Sequence, residues 1–400
     1  MTNLPQGWEV KRLEEVCEVV MGQSPNGNCI FDKDKNKDLI EFHQGKIAFS
    51  DKYIDESNFV TSDVRKIAKK NSVVLCVRAP VGEVNITTKD IAIGRGLCSL
   101  NGVKINNNFL FFYLLTLKKY FNDNSTGSTF KAINVRVIKE TKIPLPPLKE
   151  QERIVGILDF AFSKIDENIK KAKENLANID ELIQSALQKA FNPLNDNTKE
   201  NYQLPQSWEW KSLDNIGEII TGTTPSKNNP NFYGNEYPLF KPSDLNGDMI
   251  IKYASDNLSK LGFDNARNIP KDTILVVCIG ASIGKIGLSG VSGSCNQQIN
   301  AIIPNSKFLP KFLFFLCLSN YFQEILKNNA SQTTLPIINK TEFSKLQIPL
   351  PPLQEQEQIA KHLDFVFEKA KALKELYTKE LKDYEELKQS LLDKAFKGEL

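Results

Sequence analysis

The chain is an internal duplication, and the spacing of its repeats restricts the fold more than any other feature. Residues 4–25 return as 204–225, with Leu4-Pro5-Gln6-Gly7-Trp8-Glu9 answered by Leu204-Pro205-Gln206-Ser207-Trp208-Glu209 and ten of twenty-two positions identical at an offset of 200. Ile143-Pro144-Leu145-Pro146-Pro147-Leu148, followed by Glu150-Gln151-Glu152, returns at Ile348 and Glu355 at an offset of 205. Gln184-Ser185 and Lys189-Ala190-Phe191 return as Gln389-Ser390 and Lys394-Ala395-Phe396, again at 205. The segment between the second and third repeats therefore has one length in both copies. A loop tolerates insertions at small cost, so an equal length points to a rigid element.

That element reads as a helix. Pro146 and Pro147 end an extended segment and suit a helix start, and Glu150 and Glu152 favour the positive end of the helix dipole. Neither Gly nor Pro interrupts 157–192, and apolar residues recur at Ile165, Ile169, Ala172, Leu176, Ile179, Ile183, Ala186 and Ala190 in steps of four and three, a heptad seam. The second copy reads Leu363, Phe367, Ala370, Tyr377, Leu381, Tyr384, Leu391 and Ala395, with Lys374 and Lys388 interrupting the stripe and Leu373 and Leu387 beside them. Two helices, 149–191 and 354–400, are expected, each about 65 Å long at about 1.5 Å per residue. They should pack antiparallel as a coiled coil, with a block at each end.

Between the helices, short β-rich runs alternate with turns at 72–77, 85–88 and 91–93, and again at 273–279 and 299–303. Phe109 to Leu117 and Phe312 to Leu318 read as short core helices at corresponding places. The expected fold class is α+β: two mixed α/β blocks, 1–148 and 204–353, with an Asn-rich linker at 192–203, two long helices and a pseudo-twofold duplication. Net charge divides unevenly, +5 on 1–148 and +2 on 201–353 against −2 on each helical segment, as if only the blocks met phosphate. The longest apolar runs fall far short of the roughly 20 residues of a membrane span, and the N-terminus lacks a signal-peptide core, which points to a cytoplasmic protein. The seven cysteines stand singly without metal-ligand spacing and read as reduced thiols in the core.

Taken in order, the opening Leu4-Pro-x-x-Trp8, the helix entry from Ile143 to Gln151, their copies at Leu204 and Ile348, and the ending from Lys394 to Leu400 resemble the specificity subunits of Type I restriction-modification systems over essentially the whole chain. Within the first block, Phe42-x-Gln44-Gly45, Val77 to Gly82 and Ile93 to Leu97 are similar to one type of recognition domain in that family, and Gly222 to Ser226 with Lys241-Pro242-x-Asp244-Leu245 to another. The resemblance implies a non-catalytic subunit that reads an asymmetric, bipartite site in double-stranded DNA, one half per domain, with the helices setting the gap. It implies two methylation subunits and motor-nuclease subunits as partners, and places S-adenosylmethionine, ATP and Mg²⁺ on those partners with no cofactor or metal in this chain. A related system that cuts without a motor, and a coiled-coil adaptor that does not bind DNA, remain open alternatives.

The absence of catalytic motifs agrees with a reader. Asn229-Pro230-Asn231-Phe232 lacks the second proline of an adenine-methylation motif, and Gly280 to Ile286 is one residue short of a phosphate loop, with Ile where Mg²⁺ coordination needs Ser or Thr. Only seven basic residues are arginines, five of them in the first block, where Arg78 and Arg95 sit on turns and suit guanine O6 and N7, or a salt bridge or phosphate. Gln44 and Lys131 are further candidates; Lys46, Lys52, Lys69 and Lys70 are assigned to phosphates, the last two alternatively to a solvated turn. The second block has a single arginine, Arg267, and offers amides and hydroxyls instead: Asn228, Gln297, Gln298, Asn300 and Thr333, which suit adenine, with Lys241 and Lys285 for phosphate. The glutamines read equally well as a structural turn. Phe191 and Phe396, repeated at the helix ends, either dock the methylation subunits or cap the coiled-coil core.

Overall fold

Strand pairing at the base of each block sets the direction of each long helix. In the computed structural model, which describes residues 4–127, 131–191, 204–247, 249–331 and 335–400, Glu9–Arg12 pairs antiparallel with Lys142–Leu145, from Glu9 opposite Leu145 to Arg12 opposite Lys142. The chain then enters the first long helix, Leu148–Phe191. The second copy repeats the device: Glu209–Ser212 pairs with Gln347–Leu350 ahead of Leu353–Lys397. The linker expected at 192–203 lies outside the described residues.

The chain divides into two compact units, Met1–Ala172 with Thr378–Leu400, and Lys173–Tyr377. Each long helix is thus shared between units and is not a domain of its own. The reason is packing: Ile154, Leu158, Leu392, Ala395 and Phe396 belong to the core of the first unit, and Leu187, Phe191, Ala360 and Leu363 to the core of the second.

In the first unit a four-stranded antiparallel sheet runs Cys17–Met21, Leu97–Gly102, Val73–Cys76, Val84–Ile86, beside a five-stranded sheet Ile30–Asp32, Phe59–Thr61, Ile40–His43, Ile91–Ile93, Ile67–Ala68. Its one parallel pair joins Ile40–His43 to Ile91–Ile93, with Phe42 opposite Ala92. The second unit has the corresponding parallel pair, Tyr233–Phe240 with Gly293–Cys295, Leu239 opposite Ser294. The stretches 73–74 and 274–277, β-branched except at Leu275, are buried throughout, which is where such side chains fit best. Asn107–Thr116 and Pro310–Leu318 are the core helices. The first is capped by the Asn106 side chain, and the second begins on a proline, whose missing N–H costs nothing there.

The repeated Glu-Gln-Glu turns out to be a clamp. Gln151, 1% exposed, accepts from the Asn106 amide at 2.8 Å and donates to the Pro146 carbonyl at 2.8 Å. Gln356, 2% exposed, does the same with Leu309 at 3.1 Å and Pro351 at 3.0 Å. One buried amide in each copy therefore ties the start of the core helix to the start of the long helix. Asp159 and Asp364, also at an offset of 205, anchor the helix to its block through Lys52 and Lys311.

The long helices pack antiparallel within each unit. In the first, the start of Leu148–Phe191 meets the end of Leu353–Lys397: Phe396 lies edge-on to Phe109 and Tyr113, and Asp166 pairs with Lys388. In the second, Asp180 pairs with Lys374, and the end of one helix meets the start of the other through Leu187, Phe191, Ala360 and Leu363. Every expected seam residue of the first helix is at least partly buried. The two lysines that break the second stripe occupy seam positions because each meets an aspartate of the first helix, while Leu373 and Leu387 stay exposed. The helix end at Lys397 is capped by Gly398, whose φ of +75° suits glycine at that position.

Candidate nucleic-acid interface

Four strands of the first unit reach one common edge, and that edge gathers the segments 22–24, 44–46, 77–79 and 94–96. Gly22 donates to the Leu97 carbonyl (2.9 Å), Gly94 to His43 (2.8 Å), Val77 to Gly96 (2.8 Å) and Ala79 to Lys131 (3.1 Å). The second unit repeats this lattice bond for bond: Gly222 to Ile299 (3.0 Å), Asn296 to Phe240 (3.0 Å), Cys278 to Gln298 (2.8 Å) and Gly280 to Pro336 (2.9 Å). Glycine is required at one place in both. A Cβ on Gly22 would lie 2.1 Å from the Gly94 carbonyl oxygen, and one on Gly222 would lie 2.2 Å from that of Asn296.

The matched bonds align residues whose sequences no longer correspond. Arg95 occupies the position of Gln297, Gln44 that of Lys241, Arg78 that of Ile279 and Lys131 that of Pro336. Even the supporting hydroxyl is kept: the Arg95 amide donates to Ser24 Oγ at 3.3 Å, and Thr224 Oγ1 donates to Gln297 Oε1 at 2.8 Å.

In the first unit the edge brings together Gln44, Lys46, Arg78, Arg95 and Lys131, all exposed. Among the described residues, none of these four cations is held in an ion pair, which leaves them available to an external anion. Lys69 and Lys70 are not part of the group. They lie in the turn before Val73–Cys76, at the end of that strand remote from Arg78, and the left-handed Asn71 follows them. Lys52 is also elsewhere, pointing to Asp159 at 2.5 Å and lying 5.2 Å from the centre of the Phe112 ring. Burial explains its role, since it fastens the block to the long helix.

In the second unit the edge holds Gln297, Gln298, Lys241 and Lys285. Gln297 is exposed, whereas Gln298 is tied to the Asn296 amide at 3.0 Å. Lys241 pairs with Asp256, whose carboxyl it holds below the ordinary range by hydrogen bonding and charge. Lys285 reaches the Pro242 carbonyl at 3.4 Å. Asn300, expected among the base-facing amides, lies within Ile299–Pro304, is 2% exposed and accepts from Thr221 Oγ1 at 2.7 Å, so its amide does not face solvent. Asn228 is exposed in the turn at 226–229, and Thr333 lies outside the described residues. Sequence reading gave Arg267 no role at the edge, yet its guanidinium donates to the Thr221 carbonyl there at 2.9 Å. Its only sequence signal was being the sole arginine of the block.

A charged network stiffens the strand behind Gln44. Glu41, 6% exposed, accepts from Lys33 Nζ at 2.5 Å and Lys89 Nζ at 2.6 Å. Burial pushes its carboxyl upward, but these two ammonium groups and the Ser57 amide outweigh that and hold it at about 2. His43 is kept below its ordinary value by burial, against the upward pull of Glu41.

Phe191 and Phe396 are 1% and 8% exposed, the first edge-on to Phe312 and the second to Phe109, so neither ring presents a surface to another subunit. Other apolar residues of the long helices are exposed, and six of them are duplicated at an offset of 205: Leu148 and Leu353, Phe160 and Phe365, Leu182 and Leu387.

Comparison with known proteins gives the same duplication. The family model "Type I restriction modification DNA specificity domain" matches residues 5–178 and again 205–382. Over 200 residues, 49% of this chain, the sequence is 33% identical to the Type I restriction enzyme HindI specificity subunit of Haemophilus influenzae, of whose length the chain spans 42%. Among solved structures, one from work on complex assembly and conformational transition of the type I R-M system superposes with a TM-score of 0.79 at 23% identity, covering 100% of both chains. The HsdS subunit from Thermoanaerobacter tengcongensis superposes with a TM-score of 0.60 at 23% identity, covering 100% of this chain and 98% of that one. At these identities the superpositions speak for the fold.

Proposed function

The chain belongs to the Type I restriction modification DNA specificity family, and from that membership we propose that it is the DNA-reading subunit of a Type I restriction-modification complex. The observation that carries this reading is the pair of matched strand-end edges, built on one hydrogen-bond lattice yet bearing different side chains. A bipartite, asymmetric DNA site asks for that: one framework used twice, with different base-facing groups. Arg95 suits guanine, which presents O6 and N7 to a bidentate donor, and Gln297 at the equivalent position suits adenine. Lys46, Lys131 and Lys285 contact phosphates, which position the subunit without specifying sequence.

The subunit itself is non-catalytic and works with two methylation subunits and motor-nuclease subunits. S-adenosylmethionine, ATP and Mg²⁺ belong to those partners, and the complex acts in the cytoplasm. Among the described residues no helix is long and apolar enough to cross a membrane. Methylation subunits dock on the duplicated exposed residues Phe160 with Leu387 and Phe365 with Leu182, which are 69%, 45%, 59% and 55% exposed. A repeated apolar face that the chain leaves in water is the expected mark of two similar docking surfaces.

The test is methylation mapping of genomic DNA in cells carrying the chain with its methylation subunits, repeated with Arg95→Ala and Gln297→Ala. The expected result is one bipartite motif that each substitution relaxes in a different half. Absence of any methylated motif, or relaxation of the same half by both, defeats the reading.

A further inference from the structure

We propose that Ile47 and Tyr253 are DNA-inserting wedges, one per unit, each unstacking a base step beside the bases read at the strand-end edge. Among the described residues these two are the most exposed large hydrophobic side chains, Ile47 at 99% and Tyr253 at 86%. Isolated exposed apolar residues are ordinary on protein surfaces; the position and rigidity of these two are not.

Both sit next to the segment that follows the same strand of the duplicated framework. Ile47 is in the short 3-10 turn Lys46–Ala48, just beyond Ile40–His43. Tyr253 is on the loop that Asp244 staples to the end of Tyr233–Phe240, its carboxylate accepting from the Lys241 amide at 2.8 Å and the Ser255 amide at 3.0 Å. The Ile47 turn is equally held: the Phe49 amide donates to Lys46 (2.8 Å), Asp55 to Ala48 (2.7 Å) and Ser50 to Asn85 Oδ1 (2.8 Å). Ala48 and Phe49 pack into the core around Ile54 and Val74. The backbone on either side is anchored, and the apolar side chain stands clear.

The surroundings select the occupant. Ile47 is flanked by Lys46 on the edge that carries Arg78, Arg95 and Lys131, and Tyr253 by Lys252. A protein partner would need a contiguous apolar patch depleted of charge. A single apolar side chain beside a lysine fits a duplex, whose phosphates meet the ammonium while the side chain enters between base pairs, as Ile does in proteins that kink DNA. Tyr adds a face on which an unstacked base rests. This inference rests on the DNA-reading function proposed above.

The experiment uses the full chain in complex with its methylation subunits and a duplex containing the mapped site, with 2-aminopurine at successive positions. Binding should raise the fluorescence several-fold at one step in each half. Ile47→Ala should abolish the rise in the first half alone and Tyr253→Ala in the second alone, with about tenfold weaker binding for the tyrosine and an unchanged salt slope. Tyr253→Phe should keep the rise, because the ring and not the hydroxyl inserts. Site-specific binding with flat fluorescence at every position, or a rise that survives both alanine variants, overturns the wedge and leaves the DNA-reading function standing. Failure of the unaltered complex to prefer its mapped site overturns both.

Discussion

Replacing Asp166 is the sharpest probe of how the two long helices recognise each other. Lys388 interrupts an apolar stripe, and its side chain is 25% exposed against 38% for Asp166, with the ammonium also lying 5.1 Å from the centre of the Phe162 ring. Desolvation strengthens such a pair beyond the few tenths of a kcal/mol of an open surface pair, so a coupling of about 1 kcal/mol is expected. The Lys374–Asp180 pair, with Asp180 67% exposed, should couple by about 0.3 kcal/mol. Asp166→Ala should lower the melting temperature by about 2–4 °C, the shift about 1 kcal/mol produces in a unit of this size. Asp166→Lys should lower it further by setting two ammonium groups together. The charge exchange Asp166→Lys with Lys388→Asp should recover most of the loss, and the coupling should weaken as salt rises toward 1 M. Thermal melts of the four members of the double-mutant cycle, at low and high salt, measure this. A coupling near zero, or an exchange no more stable than Asp166→Lys alone, would refute the claim that these pairs match the seam.

Gln151→Leu should cost about 1–3 kcal/mol, because the Asn106 amide and Pro146 carbonyl lose a buried partner; a melt within 1 °C of the unaltered chain would contradict the clamp. For Glu41 the folded pKa, about 2, lies below the ordinary 4.5, so its contribution of about 2–3 kcal/mol is present above pH 4.5 and is lost as pH falls toward 2. Glu41→Gln should therefore destabilise the chain at neutral pH and flatten that part of the acid-unfolding curve. Phe160→Ser and Phe365→Ser should each weaken binding of one methylation subunit with little change in melting temperature, read by the mass of the assembled complex; two subunits bound at unaltered affinity would remove these residues from the docking surface. Gln297→Ala should cost about 1–3 kcal/mol at a single base pair, whereas Lys285→Ala should weaken every sequence alike and reduce the salt slope, both read by binding to single-base-changed duplexes.

Much of the candidate site was visible in the sequence as a set of residues but not as a place. Arg78 and Arg95 stand out by type and by the neighbouring Pro80 and Gly96, and Gln297 by its amide alone; with Gln44 they share corresponding edges. Lys69 and Lys70 were picked by charge alone, and charge does not say at which end of a strand a turn lies. Asn300 suits adenine by residue type, but it falls inside the β-rich run 299–303, and within that strand its amide finds its partner in Thr221. Phe191 and Phe396 read in the sequence as either docking or core residues, and their burial places them in the core, while Phe160 and Phe365, repeated just as faithfully, stand in solvent.

What the sequence by itself determined are the properties that follow from neighbours along the chain: the duplication, the equal helix lengths, the seam, the helix starts after Pro147 and Pro352 and the glycine that ends the second helix. These depend on the 3.6-residue period, on fixed φ angles and on caps, all of which act within a turn or two. Only the tertiary structure decided that Lys374 and Lys388 belong to the seam, that Gln151 and Gln356 are clamps, and that Arg95 and Gln297 are one position. Each of those facts depends on a partner between about 40 and 220 residues away, and periodicity along one helix carries no information about the chemistry of the surface it will meet.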